Sequence, residues 1–163
     1  MAHFQLSPVI FFDIGETLGR VESTSAGSVR LELFPYVPAI LDRLQAAGVL
    51  MGIISNTGQL SWEVLTGMLV DAGVLGFFAE QLLIFSSLVR MDKSSPRIFA
   101  FAAECAGRSE APNTCCYVGE NAQERQFAAQ AGLDTADDPR HLPTALDSSR
   151  PGPFHRSPSR FTS

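Results

Sequence analysis

Short apolar runs alternating with helix-spaced apolar stripes predict a three-layer α/β fold with a mainly parallel central sheet. The runs are unbroken rather than alternating with polar residues, which is the pattern of strands buried on both faces. Gly48 and Gly73 stand directly after the first two helical stretches, at the positions where chains leave a helix.

The elements follow in order. Residues 8–12, Pro-Val-Ile-Phe-Phe, form the first run, a central strand ending at Asp13. Residues 14–34 are mixed, with Gly15, Gly19 and a polar stretch over 22–28, and read as a loop plus a small hairpin. Residues 38–47 place Ile40, Leu41, Leu44 and Ala47 on one helical side, and Gly48 closes them. The second run, 49–54, leads into Ser55-Asn56-Thr57-Gly58, and residues 60–72 repeat the helical pattern through Val64, Leu65, Met68 and Leu69. Residues 82–85 form a third strand. Ser95-Pro96 opens a helix with a cap-like serine and a proline, and Ile98, Phe99, Ala102, Ala103 and Ala106 line its buried face. Residues 114–118 are a fourth strand, 121–131 a helix, and 133–135 a fifth strand.

Composition narrows the function classes. At 163 residues, 45% of them hydrophobic, the chain can bury one domain core. The net charge of -5 argues against a nucleic-acid partner, which needs a basic face. No apolar run reaches membrane-spanning length, and the start lacks a basic segment followed by a long apolar one, so neither a membrane association nor a secretory signal is expected. The expected compartment is cytoplasmic. Cys105, Cys115 and Cys116, an odd number without CxxC spacing, fit free buried thiols in a reducing environment. Lys93 is the sole lysine, and it marks a place where a compact ammonium is wanted rather than a planar guanidinium.

In open α/β sheets, ligands bind beyond the carboxyl ends of the strands. Asp13, Ser55 and the Gly119-Glu120 pair all stand there. Four segments carry a resemblance over roughly residues 8–135. Phe11-Phe12-Asp13-Ile14-Gly15-Glu16-Thr17-Leu18 is similar to the first motif of the haloacid dehalogenase superfamily, an apolar strand followed by DxDxT or a variant. Ile53-Ile54-Ser55-Asn56 resembles its second motif. Lys93-Ser94-Ser95-Pro96-Arg97-Ile98-Phe99 resembles the third, often KPxPxIF. Val118-Gly119-Glu120-Asn121-Ala122-Gln123-Glu124, with Ala131-Gly132 after it, resembles the fourth, usually GDxxxD. The resemblance implies a Rossmann-like core and a phosphatase-like chemistry. Asp13 becomes the nucleophile that forms an aspartyl-phosphate. Asp13, the backbone carbonyl of Gly15 and Glu120 become ligands of Mg²⁺, a hard ion that prefers oxygen. Ser55 and Asn56 contact the transferred phosphoryl group, and Lys93 offsets charge on phosphate and nucleophile. Glu124, one helical turn beyond Glu120, becomes a support for the metal.

Simpler roles stand beside these. An aspartate or serine at a strand end can merely cap a turn. Glu120 and Glu124, four apart, also suit a solvated helix face near a helix N-terminus. Two departures from the motif matter. Gly15 replaces the usual acid that protonates the leaving group, and Glu16, next to it, is the alternative donor. Glu120 replaces an aspartate with a longer arm.

The spacing from Asp13 to Ser55 and from Ser55 to Lys93 leaves room for a hairpin and core helices, so no cap domain is expected. An open site implies a phosphorylated small molecule or macromolecule as substrate, or an oligomer or partner that covers it. The expected organisation is a core domain over residues 1–136 and a Ser/Pro/Arg-rich tail over 137–163. The leading functional expectation is a Mg²⁺-dependent phosphatase. A catalytically weak or silent binding or regulatory module of the same fold is the alternative, with Gly15 in its favour.

Overall fold

The computed structural model describes residues 6–142. Five parallel strands form its sheet in the order β5-β4-β1-β6-β7: β1 (Val9–Phe12), β4 (Leu50–Ser55), β5 (Leu83–Phe85), β6 (Cys115–Val118) and β7 (Asp134–Ala136). β1 lies between β4 and β6, pairing Val9 with Leu50 on one side and with Cys115 on the other. The chain first builds outward through β4 and β5, then returns to the far side of β1 through β6 and β7. That reversal opens a crevice at the carboxyl ends of the central strands.

Successive side chains of β1 point to opposite faces and seed two separate cores. Ile10 and Phe12 join the layer formed by α1 (Val37–Ala46) and α2 (Trp62–Asp71). Val9 and Phe11 join the layer of α4 (Arg97–Cys105) and α5 (Ala122–Gln130). The expected three layers are present. Gly52 of β4 allows a close approach of the chain just before β5, since a Cβ there would meet the Leu82 carbonyl at 2.6 Å.

The expected hairpin is the antiparallel pair β2 (Gly19–Ser23) and β3 (Val29–Leu33). Between β1 and β4 lie only this hairpin and α1, and between β4 and β6 lie only core elements, so the described residues hold no inserted domain. A short helix, α3 (Ser86–Val89), was not expected from the sequence. The helix after Ser95-Pro96 starts at Arg97, and the Ser95 hydroxyl accepts its N–H at 3.3 Å.

The packed structure runs past residue 136. Leu142 is buried in the core, and the Arg140 guanidinium lies 4.3 Å from the centre of the Tyr36 ring. The rest of the expected tail falls outside the described residues. Cys115 and Cys116 are buried free thiols of β6 and Cys105 is half-buried and free; burial pushes the Cys115 thiol up to about 11. No helix among the described residues is long and apolar enough to cross a membrane.

Candidate active site

Asp13 is the residue at which β1 ends, and its N–H still pairs with the Val118 carbonyl of β6 at 2.9 Å. Its carboxylate therefore emerges in the crevice between β4 and β6. Oδ1 accepts the N–H of Ile14 at 2.8 Å and lies 2.9 Å from the Lys93 ammonium. Oδ2 has no partner among the described residues, so one oxygen is held and the other is free to react or to bind a ligand.

Lys93 enters from the loop before α4. Asn56, just past β4, anchors that loop by accepting the Lys93 backbone N–H at 3.0 Å. The side chain is 2% exposed and its ammonium is shared among three acceptors: Asp13 Oδ1, Glu124 Oε2 at 2.9 Å and the Tyr117 hydroxyl at 3.1 Å. Tyr117 in turn donates to Glu124 Oε2 at 2.9 Å, which closes the network. Burial, with the charges of Asp13 and Glu124, pushes the Tyr117 phenol far up, so it stays a donor. Gly119 belongs to this arrangement: a Cβ there would lie 2.6 Å from the Tyr117 hydroxyl.

A cavity of about 280 Å³ opens onto these groups, and Asp13, Gly15, Ser55, Asn56, Lys93 and Glu124 are among its lining residues. The Ser55 hydroxyl, on a residue 6% exposed, has no hydrogen-bond partner among the described residues. It caps no turn among the described residues and faces the cavity. The loop behind it is tied down by Thr57, whose N–H donates to the Ser86 hydroxyl at 2.8 Å and whose hydroxyl meets that of Ser87 at 2.7 Å. Burial is the largest influence on Asp13 and raises its carboxyl above the ordinary range; Glu124 adds to this, while Lys93 and the Ile14 N–H oppose it.

Two expected residues are not brought in. Glu120 is exposed and does not line the cavity, and its carbonyl accepts from Arg125 at 2.7 Å. The reason is helix phase. Asn121 caps α5 by accepting the Glu124 N–H at 3.1 Å, which leaves Glu120 outside the helix. Glu124 sits in the first turn, where side chains lean toward the helix N-terminus and so back over Lys93. The carboxylate that reaches the site is Glu124, in place of Glu120. Glu16, the alternative donor, also stays outside the cavity. It is exposed, with φ at 59°, and its N–H turns back to the Gly19 carbonyl at 2.8 Å, so it does not line the cavity.

Tyr117 is the functional neighbour that sequence reasoning missed. In the sequence it reads as one more apolar residue of β6, with no signal of a polar task.

The donor set can be tested against a hard cation. The described residues contain no group of three His, Cys, Asp or Glu side chains able to hold a metal unaided. The site does offer Asp13 Oδ2, the Glu124 carboxylate and the Gly15 carbonyl, which accepts no hydrogen bond among the described residues. Two carboxylates against one ammonium leave a net negative charge. Mg²⁺ keeps several waters and asks for only one or two carboxylates, so the set fits it.

The sequence matches the family of haloacid dehalogenase-like hydrolases over residues 8–132, a span that includes every residue of this network. The chain belongs to the haloacid dehalogenase-like hydrolases. Solved structures of the same fold agree. An uncharacterized protein from Listeria monocytogenes serotype 4b superposes with a TM-score of 0.63 at 21% identity, covering 80% of this chain and 76% of that one. A predicted phosphoglycolate phosphatase from Haemophilus somnus 129PT gives 0.54 at 20%, covering 64% and 43%. An L-2-haloacid dehalogenase gives 0.56 at 24%, covering 65% and 44%. This hydrolase therefore spans three quarters of the Listeria protein and under half of the other two. A search of curated protein sequences found no match.

Proposed function

We propose that this hydrolase is a Mg²⁺-dependent phosphomonoester hydrolase in which Asp13 is the nucleophile. The observation that carries the reading is the division of labour on one carboxylate: Oδ1 is held by Lys93 and the Ile14 N–H, while Oδ2 is free beside the cavity. A free carboxylate oxygen, a buried ammonium and an unpartnered Ser55 hydroxyl are the parts that phosphoryl transfer to a carboxylate needs. Lys93 offsets charge on the phosphoryl oxygens as they approach Asp13. Ser55 and the Asn56 amide N–H would donate to those oxygens. Tyr117 and Glu124 hold the ammonium in place. Asp13, Glu124 and the Gly15 carbonyl would hold Mg²⁺, which when bound neutralises phosphate charge and supports the in-line approach.

A second reading is a catalytically silent module of the same fold, favoured by Gly15, which carries no acid, and by Glu16, which stays outside the cavity. Phosphate release from 4-nitrophenyl phosphate, with Mg²⁺ and with chelator, separates the two. The proposal expects Mg²⁺-dependent turnover that Asp13→Asn removes. A purified, folded protein that releases no phosphate at any metal concentration supports the silent module instead.

A further inference from the structure

The cavity beside Asp13 has a second chemical character. Besides the polar residues, its lining holds Ile14, Leu65 and Met68, which are buried, and Leu60 and Val21, which carry the open apolar surface. Leu65 and Met68 come from α2, Leu60 from the loop before it, and Val21 from the β2–β3 hairpin. Val21 is 42% exposed. An exposed valine alone means nothing, but one at the rim of an otherwise apolar wall offers a ligand a face to cover. Among the described residues, Lys93 is the only cationic side chain in the lining, and Asp13 and Glu124 already share it.

Resting on the phosphatase reading, we propose that the substrate is the phosphate monoester of a phenol, with its ring against this apolar wall. Three independent features select that class. The wall favours a ring over a polyol, whose hydroxyls would give up water without gaining partners. The single, already shared ammonium disfavours a second anionic group, such as the carboxylate of phosphoglycolate. The lack of an acid at position 15 favours an oxygen that departs as an anion. A phenol, with a pKa of about 10, does so far more readily than an alkyl alcohol. The cavity, about 280 Å³, suits one ring and its phosphoryl group.

The reaction balances without a further reagent. A carboxylate oxygen of Asp13 attacks phosphorus, and the bond from phosphorus to the aryl oxygen breaks with its electron pair on that oxygen. The phenolate takes a proton from solvent. Water then attacks the phosphorus of the aspartyl-phosphate, the bond to Asp13 breaks, and the carboxylate and inorganic phosphate are released. The water's protons pass to phosphate and solvent.

The test compares kcat/KM for phenyl phosphate, glycerol 3-phosphate and phosphoglycolate, with Mg²⁺, in the wild type and in Val21→Ser. Phenyl phosphate should exceed both others by about 100-fold, the scale of one missing general acid. Val21→Ser should narrow the ratio of phenyl to glycerol phosphate by about fivefold, through KM, because one apolar contact to the ring is lost. A ratio taken within one variant does not depend on how much of it is folded. A neutral phosphotyrosine peptide, as a further arm, identifies the source of the phenol: faster turnover than phenyl phosphate assigns it to a protein side chain, slower to a small molecule. Equal or faster turnover of glycerol 3-phosphate or phosphoglycolate overturns the substrate class and leaves the phosphatase reading standing. An unchanged ratio in Val21→Ser overturns the apolar wall. No phosphate from any substrate overturns both.

Discussion

The ammonium of Lys93 lies 2.9 Å from Oδ1 of Asp13, with only 2% of the lysine side chain exposed. The same nitrogen is 2.9 Å from Glu124, so one buried cation holds two carboxylates together. Lys93→Met should destabilise the fold by about 3 kcal/mol, since removing one partner strands buried charge. Lys93→Arg should not restore activity, because a planar guanidinium does not fit a site shaped for a compact ammonium. Adding Asp13→Asn to Lys93→Met should recover part of the stability by removing one of the stranded charges. Urea unfolding of the three variants checks this; a double variant no more stable than Lys93→Met alone would show that the two groups are not coupled.

Burial, ahead of the Glu124 charge, holds the Asp13 carboxyl above its ordinary value of 3.8 in the folded protein, despite Lys93. The folded state thus grips this proton more tightly than the unfolded chain does. The stability that Asp13 contributes is complete below its unfolded value and is lost as pH rises through the higher folded one. In metal-free protein, the stability of Asp13→Asn minus that of wild type should therefore grow with pH across that window and then level. Parallel stability curves for the two proteins from pH 3.5 to 7, a span set around the ordinary carboxylate value, would contradict the burial of this charge.

Gly15 is not required by packing. A Cβ there would meet nothing within 4 Å, and the position lines the cavity. Gly15→Asp should therefore fold normally and raise hydrolysis of alkyl phosphates by about 100-fold, within the range general acid catalysis provides, while leaving aryl phosphates within a few fold. Glu16→Gln should change neither class. If Glu16→Gln cut alkyl phosphate turnover, the exposed glutamate would have to reach the site during catalysis.

Tyr117→Phe keeps the ring that packs against Phe99, at 4.9 Å between centres, and removes the hydroxyl shared by Lys93 and Glu124. A loss of about 1–2 kcal/mol in stability is expected from the broken buried hydrogen bonds. As a positioning residue, Tyr117 should also matter for turnover: kcat should drop by about tenfold with KM little changed, the pattern of a group that acts in the transition state alone. Wild-type kcat in a destabilised Tyr117→Phe would limit the tyrosine to a structural role.

How much of this was legible follows from the physics of each element. β1, β4 and β6 could be read because strands buried on both faces must be continuous apolar runs, and Asp13 and Ser55 because they end such runs. Lys93 stood out as the sole lysine ahead of a proline-opened helix. The exchange of Glu120 for Glu124 turned on helix phase, which Asn121 sets as the cap; the spacing of the two glutamates alone could not tell them apart. The Tyr117 hydroxyl could not be read, since its aim depends on which face of β6 meets Lys93. The ties from Thr57 to Ser86 and Ser87 join residues about thirty apart through α3, a helix of one turn with no periodic signal.

The central claim is that Asp13 itself carries the phosphoryl group. Wild-type protein quenched with acid during turnover of 4-nitrophenyl phosphate and Mg²⁺ can be digested and its peptides weighed. The account predicts one added phosphoryl group on the peptide containing Asp13, absent without Mg²⁺ and absent in Asp13→Asn. Steady turnover with no adduct on that peptide, or an adduct on another residue that persists in Asp13→Asn, would contradict it.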